Sequence, residues 1–289
     1  MTAALLELRE VGKTYAGGGL LSRRRVAAVR GVSFTLAAER PEVFAIIGES
    51  GSGKSSLARM VLGMSTPSEG QILFQGSDVA TLRGRGARLR FMRRVQPIFQ
   101  NPFEAFNPLT RVDRYLYSTA RNLAGARGQA AAEQAAETAL QQVGLSVAEV
   151  RGRFPHELSG GQLQRAAIAR ALIPGPALLV ADEPVSMIDA SLRMTIVNLF
   201  RDLRDRLGVS IIYITHDLAT AYTISDRIVI MRQGEVVEAG DARAVLSHPS
   251  HPYSVQLKDA VLTIEGTPED DPGSEAAART PGSREGSLP

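Results

Sequence analysis

VFAIIGESGSGKSS, residues 43–56, decides how the chain is read. Its first half, VFAIIG, is a continuous apolar run, the pattern of a strand buried on both faces of a parallel sheet. Its second half sets four spacer residues between Gly48 and Gly53, with Lys54 and Ser55 directly after. KSSLARMVLG then reads as a helix, with Leu57, Val61 and Leu62 facing inward and Gly63 as its stop. Strand, glycine-rich loop and helix together make a phosphate grip. The grip is expected to run over Gly48, Glu49, Ser50, Gly51, Ser52, Gly53, Lys54, Ser55 and Ser56. Backbone N–H groups from Glu49 to Lys54 should turn inward, because the glycines permit the turn. The helix start adds positive potential. Lys54 would reach the β- and γ-phosphates, and Ser55 would ligate Mg²⁺. At ordinary glycine usage the full pattern arises by chance in about one chain of this length in a hundred.

A second acidic site supports the first. In ALLVADEP an apolar strand ends in Asp182-Glu183. An Asp at a strand end near such a loop can hold the metal's outer sphere. Glu183 can polarise an attacking water as general base. An acidic pair alone is often only surface chemistry, but beside a phosphate loop it gains weight. The Asn-Lys-x-Asp element with which GTPases read their base is absent from the sequence, which favours ATP. At this level the residues fit an ATPase or a small-molecule kinase equally.

Composition removes other classes. A length of 289 residues suits one large domain or two ordinary ones, and an apolar share of 44% is ordinary for a globular chain. The sequence has no cysteine, which excludes disulfides, thiol nucleophiles and cysteine-ligated clusters. A net charge of +3 demands no nucleic-acid partner, and the lack of Trp counts against a base-stacking platform. The apolar runs fall short of the roughly 18–20 residues that a membrane span needs. The start, MTAALLELREVGK, lacks the layout of a secretory signal, so the chain is expected to fold in the cytoplasm.

Along the chain, LLELREV (5–11) and AVRGVSFTL (28–36) read as antiparallel strands, with GGG (17–19) and RRR (23–25) in a loop between them. QILF (71–74) is another strand. Residues 101–163 lack strand signals, and AAAEQAAETALQQVG (130–144) is helical, with Leu140 and Val143 on one side. ALLVAD (177–182) and VSIIYIT (209–215) restore the buried-strand pattern around a helix at about 190–207. RIVIMRQGEVVEAG (227–240) reads as strand, turn at Gln233-Gly234, strand. From 265 to 289 the composition shifts to Pro, Gly, Ser and charge, which cannot offset ordering entropy and is expected to be disordered.

HELSGGQLQRAAIARAL (156–172) separates the two enzyme readings. Ser159 is a good N-cap, and Ala167, Ile168, Ala171 and Leu172 form an apolar stripe. Such a helix start is a second anion site. Two phosphate grips far apart in sequence make sense if the second completes a site on another subunit.

LSGGQ (158–162) resembles the signature of ATP-binding cassette (ABC) proteins, and the resemblance covers about residues 5–262. It implies an α/β fold: a P-loop NTPase core, an antiparallel β subdomain and an α-helical insertion at about 101–163, within a domain over 1–264. It also implies site residues. Tyr15 would stack on adenine, and Gly48–Ser56 would hold the phosphates of ATP. Gln100 would sense Mg²⁺ and the attacking water, beside the metal ligands Ser55 and Asp182. Glu183 would be the base, and His216 would contact the γ-phosphate. Ser159, Gly160, Gly161 and Gln162 would meet the nucleotide of a partner subunit, with Asp189 touching that subunit. The implied mechanism closes two cassettes, identical or paralogous, around ATP. The partners would be two membrane-spanning permease subunits and, indirectly, an extracytoplasmic solute-binding protein, with this chain at the cytoplasmic face of the membrane.

IFQNPFEAFNP (98–108), FPHELSGGQ and HPSHPYSVQL (248–257) are similar to the peptide and nickel importer branch. The last matches that branch's terminal His-Pro-Tyr element, here about 245–262. Peptides are the expected cargo, with oligosaccharide, nickel or a non-transport ATPase as alternatives. Ser186-Met187-Ile188-Asp189 departs from the branch's Ser-Ala-Leu-Asp. RGRGARLRFMRR (83–94) carries six arginines and reads as a solvated face.

Overall fold

The order of strands explains the architecture. The computed structural model describes residues 3–17 and 24–264. One sheet is four-stranded and antiparallel, in the order β2 (Arg24–Ala37), β1 (Ala4–Gly17), β4 (Glu69–Phe74) and β5 (Ser77–Asp78). The other is six-stranded, in the order β10 (Glu235–Asp241), β9 (Arg227–Arg232), β3 (Val43–Ile47), β8 (Ser210–Thr215), β7 (Leu178–Asp182) and β6 (Val95–Ile98). All neighbours in this second sheet run parallel except the β9–β10 hairpin. Gln233 and Gly234 both take positive φ there, the tight turn that matches strand twist.

The apolar run of β3 is buried on both faces because layers cover both. Phe44 and Ile46 face the antiparallel sheet and α1 (Lys54–Val61), packing with Leu36, Leu57 and Met60. Ala45 and Ile47 face the other way, toward Ala221 of α8 (Leu218–Ile224), Val245 of α9 (Ala242–Ser247) and Tyr253 of α10 (Pro252–Ile264). Each fully buried large apolar side chain contributes about 1.5–3 kcal/mol. In α1 the inward stripe is Leu57, Met60 and Val61. Leu62, expected inward, caps the helix and is only half-buried, because the helix ends one residue earlier.

Residues 99–177 are spanned by helices and loops. α3 (Val112–Asn122), α4 (Gly128–Gln142), α5 (Val147–Val150) and α6 (Gly160–Leu172) share one core with the β7–β8 face of the sheet and α7 (Ala190–Leu207). Ala132, Ala136 and Ala139 are buried on α4, where small side chains permit close helix approach. α2 (Gly84–Arg94) carries most of the Arg-rich run, buries only Phe91, and leaves its arginines exposed. Among the described residues no helix is long and apolar enough to cross a membrane. Residues 18–23, within the expected Gly- and Arg-rich loop, and the expected tail at 265–289 lie outside the described residues.

Candidate functional site

Parallel strands gather the candidate residues at one edge. β3, β8, β7 and β6 are consecutive neighbours, and each carries a candidate just beyond its C-terminal end. These are the Gly48 loop after β3, His216 after β8, Asp182-Glu183 at the end of β7, and Gln100 after β6. Residues scattered between positions 48 and 216 therefore share one rim. The carboxyl ends of parallel strands are where open α/β sheets bind ligands.

The loop is held from below. A Cβ at Gly48 would lie 2.2 Å from the Met231 carbonyl oxygen, and one at Gly53 would lie 2.2 Å from that of Ala28. Only glycine fits where these backbones touch. The Ser52 carbonyl accepts from the Gly234 N–H at 3.0 Å, which ties the loop to the β9–β10 turn. Lys54 is 5% exposed. Its Nζ donates to the carbonyls of Gly48 and Glu49 at 2.6 and 2.8 Å. Burial lowers the Lys54 pKa, and the charges of Glu183, Asp182 and Glu49 oppose that shift. The ammonium thus faces the acidic pair.

Two loop N–H groups depart from expectation: that of Ser52 donates to the Glu49 carbonyl at 3.2 Å. Glu49 does not offer its N–H to the cradle but donates it to the Tyr253 hydroxyl at 3.0 Å. The cause is positional. Glu49 immediately follows the buried strand, and α10 lies against that same face through Tyr253.

The Ser55 hydroxyl lies close enough to the Asp182 carboxylate to stabilise its charged form. Burial raises the Asp182 pKa, and Glu183 raises it further, against the lowering pull of Ser55, Lys54 and Arg59. Glu183 follows with φ 45°, an unusual left-handed conformation for a glutamate, and its N–H donates to the Ile214 carbonyl at 2.9 Å. This turn aims the side chain along the rim. Its two oxygens are held separately: Gln100 Nε2 donates to Oε2 at 3.1 Å, and His216 Nδ1 lies 3.2 Å from Oε1. His216 is the more open partner, at 61% exposed. Ser55 and Asp182 offer hard oxygen ligands, a donor set that suits Mg²⁺ alongside substrate phosphates and water. Tyr15 stands beside the loop's helix, its hydroxyl 3.4 Å from Ser56 Oγ, and its ring is partly exposed.

The remaining candidates lie apart from this cluster. Ser159 caps α6 as expected: its Oγ accepts from the Gln162 N–H at 3.2 Å, and Gln162 Oε1 accepts from the Ser159 N–H at 3.1 Å. Ser159 and Gly160 are exposed. Gly161 is buried where a Cβ would come 3.1 Å from Leu192 at the start of α7. Asp189, the residue before that helix, is exposed and makes no side-chain cap bond. Among the described residues no hydrogen bond or ion pair joins Ser159–Gln162 to the loop at 48–56.

Two residues beyond the sequence candidates bear on the site. Gln164 of α6 is fully buried, and its Nε2 donates to the Pro184 carbonyl at 2.8 Å, next to Glu183. Its signal was a glutamine inside the apolar stripe of a helix. Tyr253 is the other; the HPY triplet held its signal.

Comparisons with known proteins bear on the family and the fold. A family model described as ABC transporter matches residues 29–186. The oligopeptide transport ATP-binding protein AppF of Bacillus subtilis is 38% identical over 271 residues, covering 90% of this chain and 80% of the relative. The oligopeptide transport ATP-binding protein AmiF of Streptococcus pneumoniae is 33% identical over 261 residues, covering 90% of this chain and 82% of the relative. A solved dimer of an ATP-binding cassette, in a post-hydrolysis state with ADP and Pi, superimposes with a TM-score of 0.72 at 26% identity. That match covers 82% of this chain and 99% of the solved one.

Proposed function

The chain belongs to the ABC transporter family, as an ATP-binding ATPase of its peptide-import branch, and from that premise we propose that it is one half of a paired motor on a membrane importer. The observation that carries this reading is the rim: a buried lysine, a hydroxyl–carboxylate pair and a glutamate held by Gln100 and His216, all at neighbouring strand ends. Lys54 and the loop N–H groups other than those of Glu49 and Ser52 bind the phosphates, and Tyr15 stacks on the base. Ser55 and Asp182 hold Mg²⁺, which when bound neutralises charge on the phosphate oxygens. Glu183 orients the attacking water and takes its proton, kept in place by Gln100. His216 contacts the γ-phosphoryl group.

The α6 start serves the other subunit. Ser159, Gly160, Gly161 and Gln162 present an exposed helix N-terminus, fit to meet an anion delivered from outside. The second subunit, identical or paralogous, supplies that nucleotide and receives the contact of Asp189. Opening and closing of the pair drives two membrane-spanning permease subunits, fed by an extracytoplasmic solute-binding protein, with this chain peripheral at the cytoplasmic face. The cargo is a peptide or similar solute.

Affinity purification of the tagged chain from solubilised membranes tests the assembly. Co-recovery of spanning subunits with ATPase activity is expected. Recovery of ribosomes or DNA in their place would overturn the transport reading.

A further inference from the structure

The terminal His-Pro-Tyr element reaches the phosphate loop. Glu49 donates its N–H to the Tyr253 hydroxyl at 3.0 Å. That N–H belongs to the peptide joining Gly48 to Glu49. A trans peptide is planar, so its carbonyl leaves from the opposite edge. That carbonyl, on Gly48, accepts from Lys54 Nζ at 2.6 Å. One flat unit therefore carries Tyr253 on one edge and the lysine ammonium on the other. Turning the plane would move both contacts together.

Tyr253 is itself fixed. It is 2% exposed, and the Arg232 guanidinium sits 4.8 Å from its ring centre. Its N–H donates to His251 Nδ1 at 3.1 Å. The turn before it is anchored on β10, where Glu238 accepts from the N–H groups of Ser250 and His251 at 2.8 and 3.2 Å. Lys258 Nζ adds a bond to the Ser247 carbonyl at 2.5 Å, closing α10 onto α9. Pro252 and the histidine–tyrosine pair thus deliver one hydroxyl to one loop amide.

We propose that Tyr253 is a positioning residue for Lys54, and that through it the terminal element sets the affinity of the loop for nucleotide. Bonds in series polarise one another in a buried setting, so the Tyr253–peptide–Lys54 chain orients the ammonium. The hydroxyl touches no substrate. It acts by holding the plane that holds the lysine. This rests on the loop binding ATP, as proposed above.

Tyr253→Phe removes the hydroxyl and keeps the ring, its packing and the Arg232 contact. With Mg²⁺-ATP, its KM and its dissociation constant should each rise about fivefold, the effect of one hydrogen bond, with kcat within about twofold of wild type. A merely structural role would instead lower the active fraction, and so the apparent kcat, with KM unmoved. A second measurement needs no variant: in the full wild-type chain the Glu49 amide should exchange with solvent much more slowly than exposed loop amides. An unchanged KM in Tyr253→Phe, or a fast-exchanging Glu49 amide, would overturn the proposal. The premise is checked apart from it, since Lys54→Ala must weaken ATP binding whatever Tyr253 does. A Lys54→Ala chain that bound ATP as wild type does would sink the nucleotide reading itself.

Discussion

The loop at 48–56 and the helix start at 159–162 are both built to meet anions, yet they are furnished in opposite ways. Around the loop the chain brings its own lysine, hydroxyl, carboxylates, amide and imidazole, with the Gln100 amide and His216 imidazole 3.1 and 3.2 Å from the Glu183 carboxylate. Around Ser159 it brings only the helix's own cap, with Ser159 and Gly160 open to solvent. The loop has its chemistry at hand. The helix start has orientation and no chemistry. On the proposed reading, the difference teaches that a single chain contains one catalytic cluster and half of another chain's binding surface. Inside the chain one bond spans the two regions: Gln164 reaches from the helix behind Ser159 to the Pro184 carbonyl beside Glu183.

The largest expected effect falls on the furnished side. Glu183→Gln keeps the shape of the rim and removes the base. ATP hydrolysis by the assembled complex should fall by about 10²–10⁴-fold while ATP binding persists, read by phosphate release and nucleotide titration. Normal turnover would break the contrast, because the loop region would then not hold the reacting base.

A smaller effect tests the link. Gln164→Leu removes the donor to the Pro184 carbonyl and should destabilise the chain by about 1–3 kcal/mol in denaturant unfolding. Nucleotide binding by the folded fraction should be unchanged, because Gln164 touches no loop residue. An unaltered midpoint would show that the two regions are not coupled through this bond.

The smallest effect lies at the edge of the loop. Tyr15→Ala should weaken ATP binding severalfold, the scale of one aromatic contact, with no change for inorganic triphosphate. Equal loss for both ligands would place Tyr15 against the phosphates rather than the base.

Much of the fold was legible because local and global signals agree in it. VFAII, LLVA and IIYI are unbroken apolar runs, and each lies in a central parallel strand. The gathering of the candidates at one rim could be read only by resemblance, since strand order is a long-range fact that no short stretch encodes. Three details escaped for physical reasons. Leu62 fits the helical period but falls where the helix ends, so periodicity overreaches by one residue. Glu49 belongs to a loop whose N–H groups were expected to converge, and a contact from residue 253 takes one of them away. Gln164 hides in an apolar stripe because its side-chain hydrogen bond, from Nε2, goes to a carbonyl distant in sequence, while its Oε1 is buried without a partner among the described residues.

The shared-site account rests on Ser159 serving a neighbour rather than its own loop. Ser159→Arg measures this most directly, through ATP affinity of the isolated chain and ATP turnover of the assembled transporter. The account predicts isolated-chain affinity within about twofold of wild type and turnover reduced at least about a hundredfold, since a bulky cation would block the helix start from meeting the partner's nucleotide. Lost affinity in the isolated chain, or preserved turnover in the assembly, would contradict it.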